Sequence, residues 1–273
     1  MSKNWTCKQL FHPKLLQDVH AILKYENLCM ENGPLRQFQK TRVMEDGKRC
    51  RRHLEIPIAF LHDQKRRHTL TLPPEVVTVY EGLYSAAVKH VRSALLPPPD
   101  VGPAPLTREL LEETLLSSIT VRSVLRLIRY DEGVGSRPHV DPGLCTALLL
   151  GSTGGLELNT TDDVSELLKG NAPGDYRLPS SDSKGASARA FDDLPHWQTV
   201  PDSPAWREDT DTVIMNSNFL SVLTLGEQSG VLHRVVDHWG KEGEVRTNVI
   251  VELRPHKPKF WYQWSSGRAK KKS

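Results

Sequence analysis

Cysteine is scarce and scattered: Cys7, Cys29, Cys50 and Cys145 form no CxxC pair. That spacing excludes a zinc ribbon and a dithiol redox motif, and it fits a reducing compartment. No stretch reaches the ~18 consecutive apolar residues of a membrane span, and the opening MSKNWTCKQL lacks the basic, apolar, small-residue order of a secretory leader. The expectation is a soluble, cytoplasmic chain without a membrane partner. Charge of one sign is also lacking, because 36 Lys and Arg against 33 Asp and Glu leave only +3, too mild a balance to announce nucleic acid or a membrane surface. Phosphate-loop, dinucleotide-binding and GxSxG signatures are missing, so nucleotide-dependent and serine-hydrolase chemistries have no anchor.

What is present begins with length and a hydrophobic fraction of 38% in 273 residues, enough to bury one sizeable core and too apolar for a disordered chain. Val76, Tyr80, Leu83, Ala87, Val91 and Leu95 recur at helical spacing behind Pro73 and Pro74, which predicts one long amphipathic helix over residues 74–96. Leu15, Leu16, Val19, Ile22 and Leu23 give a weaker version of the pattern over 13–30. Five prolines between 97 and 105 force an extended connection, after which Thr107 can cap a short helix carrying Leu110, Leu111 and Leu115.

Beyond Ile119 short β-branched and leucine-rich runs alternate with Gly, Pro, Asp and Asn, the pattern of sequential strands. Strands are expected over 121–130, 145–150, 155–159, 212–215, 231–236 and 245–253, and several short strands point to a barrel or sandwich. The organisation read from this is a helical N-terminal region over 1–100 packing on a catalytic domain over 106–264, which carries a polar insertion at about 159–196. A basic tail over 265–273 follows. Phe260, Trp261, Tyr262 and Trp264 are read as a cover for the barrel. Basic residues gather between 36 and 68, among them Arg51, Arg52, Lys65, Arg66 and Arg67; a solvated face accounts for them, and phosphate contact is the alternative.

The chemistry concentrates in SRPHVDPGLCTALLL and GVLHRVVD. His139 and Asp141 stand two apart, so on an extended segment both side chains share a face. His233 lies in a second short apolar strand that a barrel can bring opposite them. Two imidazoles and one carboxylate on one side of a metal leave the other side open, the arrangement associated with non-haem iron(II) oxygenases; a closed four-ligand site would be structural only. Cys145, just after the first pair, is read as a small core residue, Asn216 and Asn218 as turn formers, and His196, His238 and His256 as surface histidines.

The segments LRLIRYDEGVGSRPHVDPGLCTALL, GGLEL, DTVIMNSNF, GVLHRVV and VRTNVIVELRP resemble, in order, the isopenicillin N synthase-like branch of the iron(II)/2-oxoglutarate oxygenases. The resemblance spans roughly residues 121–255. It implies a mainly β fold with N-terminal helices around a double-stranded β-helix, or jelly roll. It implies iron on His139, Asp141 and His233, with Tyr130 and Arg246 on the carboxylates of 2-oxoglutarate. Asn248 stands where the family carries serine and is expected to bind the cosubstrate too, since its amide can donate in place of the hydroxyl, and Arg246 lies a few residues further from His233 than the family spacing. The implied cofactors are Fe(2+), 2-oxoglutarate and O2. The implied reaction oxidises a C–H bond of a small molecule with release of succinate and CO2. Oxidation or demethylation of nucleic acid or protein, using the basic 36–68 segment, is the alternative within the superfamily. A non-catalytic barrel that binds partners is the alternative outside it.

Overall fold

Alternation along the strands sorts their side chains onto two cores. The computed structural model describes residues 4–24, 35–43, 50–63, 72–96, 107, 110–159, 196–200, 211–224, 228–236 and 243–255. The proline run, the polar stretch after Asn159, most of the basic cluster, the aromatic group, the tail, His238 and His256 lie outside them. The described strands are β1 (Trp5–Lys8), β2 (Gln39–Val43), β3 (Cys50–Pro57), β4 (Val124–Tyr130), β5 (Ser136–His139), β6 (Cys145–Leu149), β7 (Leu156–Asn159), β8 (Trp197–Thr199), β9 (Thr212–Asn216), β10 (His233–Val235) and β11 (Arg246–Leu253). Seven pair antiparallel in the order β1-β9-β6-β11-β4-β3-β2, and four in the order β5-β10-β7-β8. Two antiparallel sheets whose central strands pair across long sequence separations, as in β9-β6-β11-β4 and β5-β10-β7, form a double-stranded β-helix, as expected.

Between the sheets, Ile128, Tyr130, Leu148, Val213 and Met215 of the larger one pack with Leu156, Leu158 and Val235 of the smaller. Their sequence neighbours Leu125, Leu127, Ala147, Leu149, Ile214, Val249 and Val251 point the other way and are buried under helices. Strands buried on both faces read as continuous apolar runs rather than clean alternation, which is why ALL in β6 and VIM in β9 are unbroken apolar stretches.

The covering helices are α1 (Pro13–Lys24), α2 (Ile58–His62), α3 (Pro74–Leu95) and α4 (Asn218–Leu223). In α3, Val76, Tyr80, Leu83, Ala87, Val91 and Leu95 are all buried, the stripe read from sequence. Gly82 leaves room for the Phe11 ring, whose Cε1 would lie 2.5 Å from any added Cβ. His20 of α1 joins Thr247 Oγ1 on β11 through Nδ1 at 2.9 Å, and His90 of α3 donates to Asn216 Oδ1 at 2.6 Å. Residues 110–116 form a π-helical turn, and Thr107 Oγ1 accepts the Leu110 N–H at 3.2 Å. No helix among the described residues is long and apolar enough to cross a membrane.

The expectation of a helical region over 1–100 needs correction, because β1, β2 and β3 all join the larger sheet. Two of them are its edge strands, where charged and polar residues are tolerated and the apolar pattern fades. The third, CRRHLEIP, buries only Leu54 and Ile56 on its helix-facing side, too short an alternation to stand out among five charged or titratable neighbours. The expected strand over 121–130 starts later, after a 3-10 turn at Ile119–Val121.

Asp211 ties the first strand to the sheet. It is 1% exposed and accepts the backbone N–H groups of Leu10 at 3.0 Å and Phe11 at 2.7 Å and the Thr212 hydroxyl at 2.7 Å. Replacing Asp211 with Ala strands those donors and is expected to lower unfolding free energy by about 1.5–3 kcal/mol in urea denaturation; a change within measurement error would contradict this role.

Candidate metal centre

Strand pairing delivers the three candidate ligands to one end of the inter-sheet space. His139 ends β5, and His233 opens β10 directly opposite it in register; the ring centroids are 4.3 Å apart. Asp141 lies just past β5, in a tight Asp-Pro-Gly segment whose backbone is fastened on three sides. Asn218 N–H donates to the Asp141 carbonyl at 2.9 Å, Phe219 N–H to the Gly143 carbonyl at 2.8 Å, and Leu144 N–H to the Leu253 carbonyl at 2.7 Å. A Cβ at Gly143 would sit 2.3 Å from the Leu253 oxygen, so only glycine permits that approach.

One potential ligand atom from each of His139, Asp141 and His233 lies within 4.8 Å of the others. Nε2 of His139 is 3.8 Å from Asp141 Oδ1, and Nε2 of His233 is 3.8 Å from Oδ2. These gaps are too long for hydrogen bonds and suit groups that converge on a shared ion. Both Nδ1 atoms face backbone carbonyls, Arg137 O at 2.7 Å and Val231 O at 3.1 Å. A carbonyl only accepts, so each neutral ring carries its proton on Nδ1 and turns the Nε2 lone pair toward Asp141. The Thr146 hydroxyl donates to Asp141 Oδ2 at 2.5 Å and fixes the carboxylate.

Electrostatics keep the set in its metal-ready protonation. Although 39% of the His139 side chain meets the cavity, the protein packed around the ring, with His233 beside it, lowers its pKa to about 4. Burial pushes the Asp141 carboxyl up, but His233, His139, the Thr146 hydroxyl and Arg126 more than offset this and hold it at about 2. At neutral pH His139 is uncharged and Asp141 is a carboxylate, and with His233 Nε2 turned toward the same carboxylate the donor set fits iron(II) with its remaining positions open.

The centre opens into a cavity of about 450 Å³ lined also by Tyr130, Thr146, Leu148, Arg246 and Asn248. Arg246 is 1% exposed. Its Nε donates to the Gly154 carbonyl at 2.7 Å, its Nη1 to Asn248 Oδ1, and its guanidinium carbon lies 5.4 Å from the Tyr130 ring centre. Asn248 in turn donates to the Leu149 carbonyl at 3.1 Å. Its amide is therefore occupied with holding Arg246, where sequence alone suggested a direct donor. Gly151 clears the guanidinium's path, since a Cβ there would lie 3.0 Å from Arg246 Cζ.

No protein-family model and no curated protein matches the chain. Solved structures do. A Shewanella oneidensis protein assigned as an oxygenase aligns with TM-score 0.56 at 13% identity, over 93% of this chain and 83% of that one. The rice dioxygenase for auxin oxidation gives TM-score 0.51 at 17% identity, covering 90% and 71%. JOX2, solved with 2OG, Fe and JA, gives 0.51 at 16% identity, covering 93% and 68%. The chain shares the double-stranded β-helix fold of these oxygenases.

Within this oxygenase fold the remaining sequence-level readings can be placed. Cys145 is fully buried in the core. Asn216 bonds His90 and Gln228 with its side chain, and Asn218 begins α4 and donates its backbone N–H to the Asp141 carbonyl. His196 is exposed and has a positive φ of 72°. Arg51, read as part of a solvated basic face, lines the cavity instead, together with His53, which the sequence reading did not single out. The signal for them was the two-residue spacing of Arg51, His53 and Glu55 opposite buried Leu54 and Ile56.

The acid dependence of the metal-free fold follows from His139 and from His53, whose pKa burial and the nearby Arg51 and Arg126 also lower to about 4. In the unfolded chain both protonate near 6.5. Between those values the unfolded state binds more protons, so stability falls with acid. The melting temperature of the apoprotein is expected to drop from pH 6.5 to 4, with a shallower slope in the His53→Gln, His139→Gln double variant. An unchanged slope would refute this assignment.

Proposed function

We propose that the protein is an iron(II)- and 2-oxoglutarate-dependent oxygenase that oxidises a C–H bond of a small molecule, with release of succinate and CO2. The observation that supports this most is the aim of both histidine Nε2 atoms at one fixed carboxylate, in an oxygenase fold, beside an arginine buried in the same cavity. His139, Asp141 and His233 would hold the metal. Arg246 would grip the far carboxylate of 2-oxoglutarate, with Tyr130 lending its hydroxyl and Asn248 keeping the guanidinium in place. Iron held there supplies O2 activation coupled to oxidative decarboxylation of 2-oxoglutarate. The protein's own part is to orient the cosubstrate, keep the ligands deprotonated at their metal-facing atoms, and line the cavity with Ile128, Leu148 and Val235 to limit water.

A small-molecule substrate is favoured over nucleic acid. The cavity volume of about 450 Å³ falls in the range of small-ligand sites, ~300–1,000 Å³. One cation of the basic segment, Arg51, also lines the cavity, and a second, Lys40, is partly neutralised by Glu55 at 2.8 Å. The rice protein is a dioxygenase for auxin oxidation and JOX2 was solved with JA, which agrees with small substrates.

The test is succinate release from 2-oxoglutarate across a broad metabolite panel, with and without iron(II). Wild-type protein is expected to form succinate only with iron, and to be stimulated by at least one metabolite. His233→Ala should fall to background. Turnover that ignores iron, or that survives in the variant, would sink the proposal. Gly151→Ala should raise the 2-oxoglutarate concentration at half-saturation roughly tenfold through displacement of Arg246, while leaving iron binding intact; an unaltered value would remove Arg246 from the cosubstrate site.

A further inference from the structure

Arg137 lines the cavity as an exposed side chain; among the less exposed cationic groups of the cavity Arg51 stands out. Arg126 is matched by Glu55 at 3.1 Å and Glu252 at 3.0 Å, Arg254 by Glu252 at 2.5 Å, and Arg246 is tied to Gly154 and Asn248. Arg51 has no carboxylate partner among the described residues. Its Nη1 reaches only Ser136 Oγ at 3.3 Å, and its Nε is buried without a hydrogen-bond acceptor. Two residues on, on the same face of β3, His53 Nδ1 is also buried and unpartnered. Buried donors left unmatched cost free energy that a ligand can recover.

The position of Arg51 is specific. It pairs in register with Tyr130, which pairs in register with Arg246, so the Tyr130 ring lies between two guanidiniums at 5.9 and 5.4 Å. Ser136 belongs to the strand that ends in His139, which puts Arg51 on the metal side of the cavity. With Nη1 turned to Ser136, the Nε and Nη2 edge remains, a pair of parallel N–H groups that matches the two oxygens of a carboxylate. Around it the wall is apolar, with Ile128, Leu148, Leu156, Val235 and Ile250.

We propose that Arg51, assisted by His53, is the substrate-recognition subsite of this cavity and takes the carboxylate of a small, otherwise apolar organic acid. The inference rests on the oxygenase reading for the identity of that ligand as substrate. A carboxylate fits better than a phosphate: one guanidinium edge balances a single negative charge, and His53, its pKa lowered by burial and by Arg51, adds no second cation at neutral pH. Arg246 and Arg51 thus divide the work, one cation for the cosubstrate and one for the substrate, on either side of Tyr130.

The probes are phenylacetate, neutral phenylacetamide and benzyl phosphate, titrated into protein loaded with manganese(II) and N-oxalylglycine. Paramagnetic relaxation of the probe's ring protons reports approach to the metal. Phenylacetate is expected to be relaxed and phenylacetamide not. Arg51→Met should weaken phenylacetate by about tenfold or more and Arg51→Lys by less, with N-oxalylglycine affinity and melting temperature unchanged in both. Equal binding of acid and amide, preference for benzyl phosphate, indifference to Arg51→Met, or loss of N-oxalylglycine affinity in that variant would each overturn the assignment. Failure of manganese to bind wild type would instead strike the metal-centre reading. Calorimetry of phenylacetate on metal-free wild type and Arg51→Met then still decides whether the carboxylate subsite exists.

Discussion

Two backbone carbonyls govern the chemistry of this protein. Arg137 O and Val231 O each accept an Nδ1 proton, and that alone decides which nitrogen of His139 and of His233 faces the centre. Because both carbonyls belong to the short strands, or their immediate approach, the sheet pairing of β5 with β10 sets the ring positions at the same time as the tautomers. The Asp141 carboxylate depends on a different device, a loop stitched to α4 and β11 by three backbone hydrogen bonds. A ligand set with its geometry fixed from outside costs little reorganisation when an ion arrives.

The second constraint is the cross-strand row Arg51, Tyr130, Arg246. Placing two guanidiniums on opposite sides of one ring, at one end of a largely apolar inter-sheet space, gives the cavity a polarity that its walls lack. Arg126, Glu55, Glu252 and Arg254 form a self-neutralised network deeper along the same strands, which keeps β3, β4 and β11 in register without adding net charge. The cavity is therefore selective by what is left unpaired in it, since matched ion pairs attract ligands weakly.

Much of this was legible in the chain. The α3 stripe and the apolar strands of the larger sheet rest on local signals, a 3.6-residue period and β-branched runs, whereas the ligand trio rests on the family resemblance that joins the HxD to a distal histidine. β1, β2 and β3 were not legible, for a physical reason: two lie at sheet edges, and the third turns its polar face toward a cavity instead of solvent, so its charges look like a surface. The Asn248–Leu149 bond that anchors the residue holding Arg246, and the clearance between Gly151 and Arg246, join residues about a hundred apart, which no window of sequence displays.

The most direct measurement is an anaerobic titration of iron(II) and then 2-oxoglutarate into the purified protein, followed by visible absorption. A metal-to-ligand charge-transfer band that needs both components, and that is lost in Asp141→Ala and weakened in Arg246→Met, is the predicted result, because it requires iron on the trio and 2-oxoglutarate chelating that same iron. A folded wild-type protein that binds neither component, or that gives the same band without Asp141, would contradict the account.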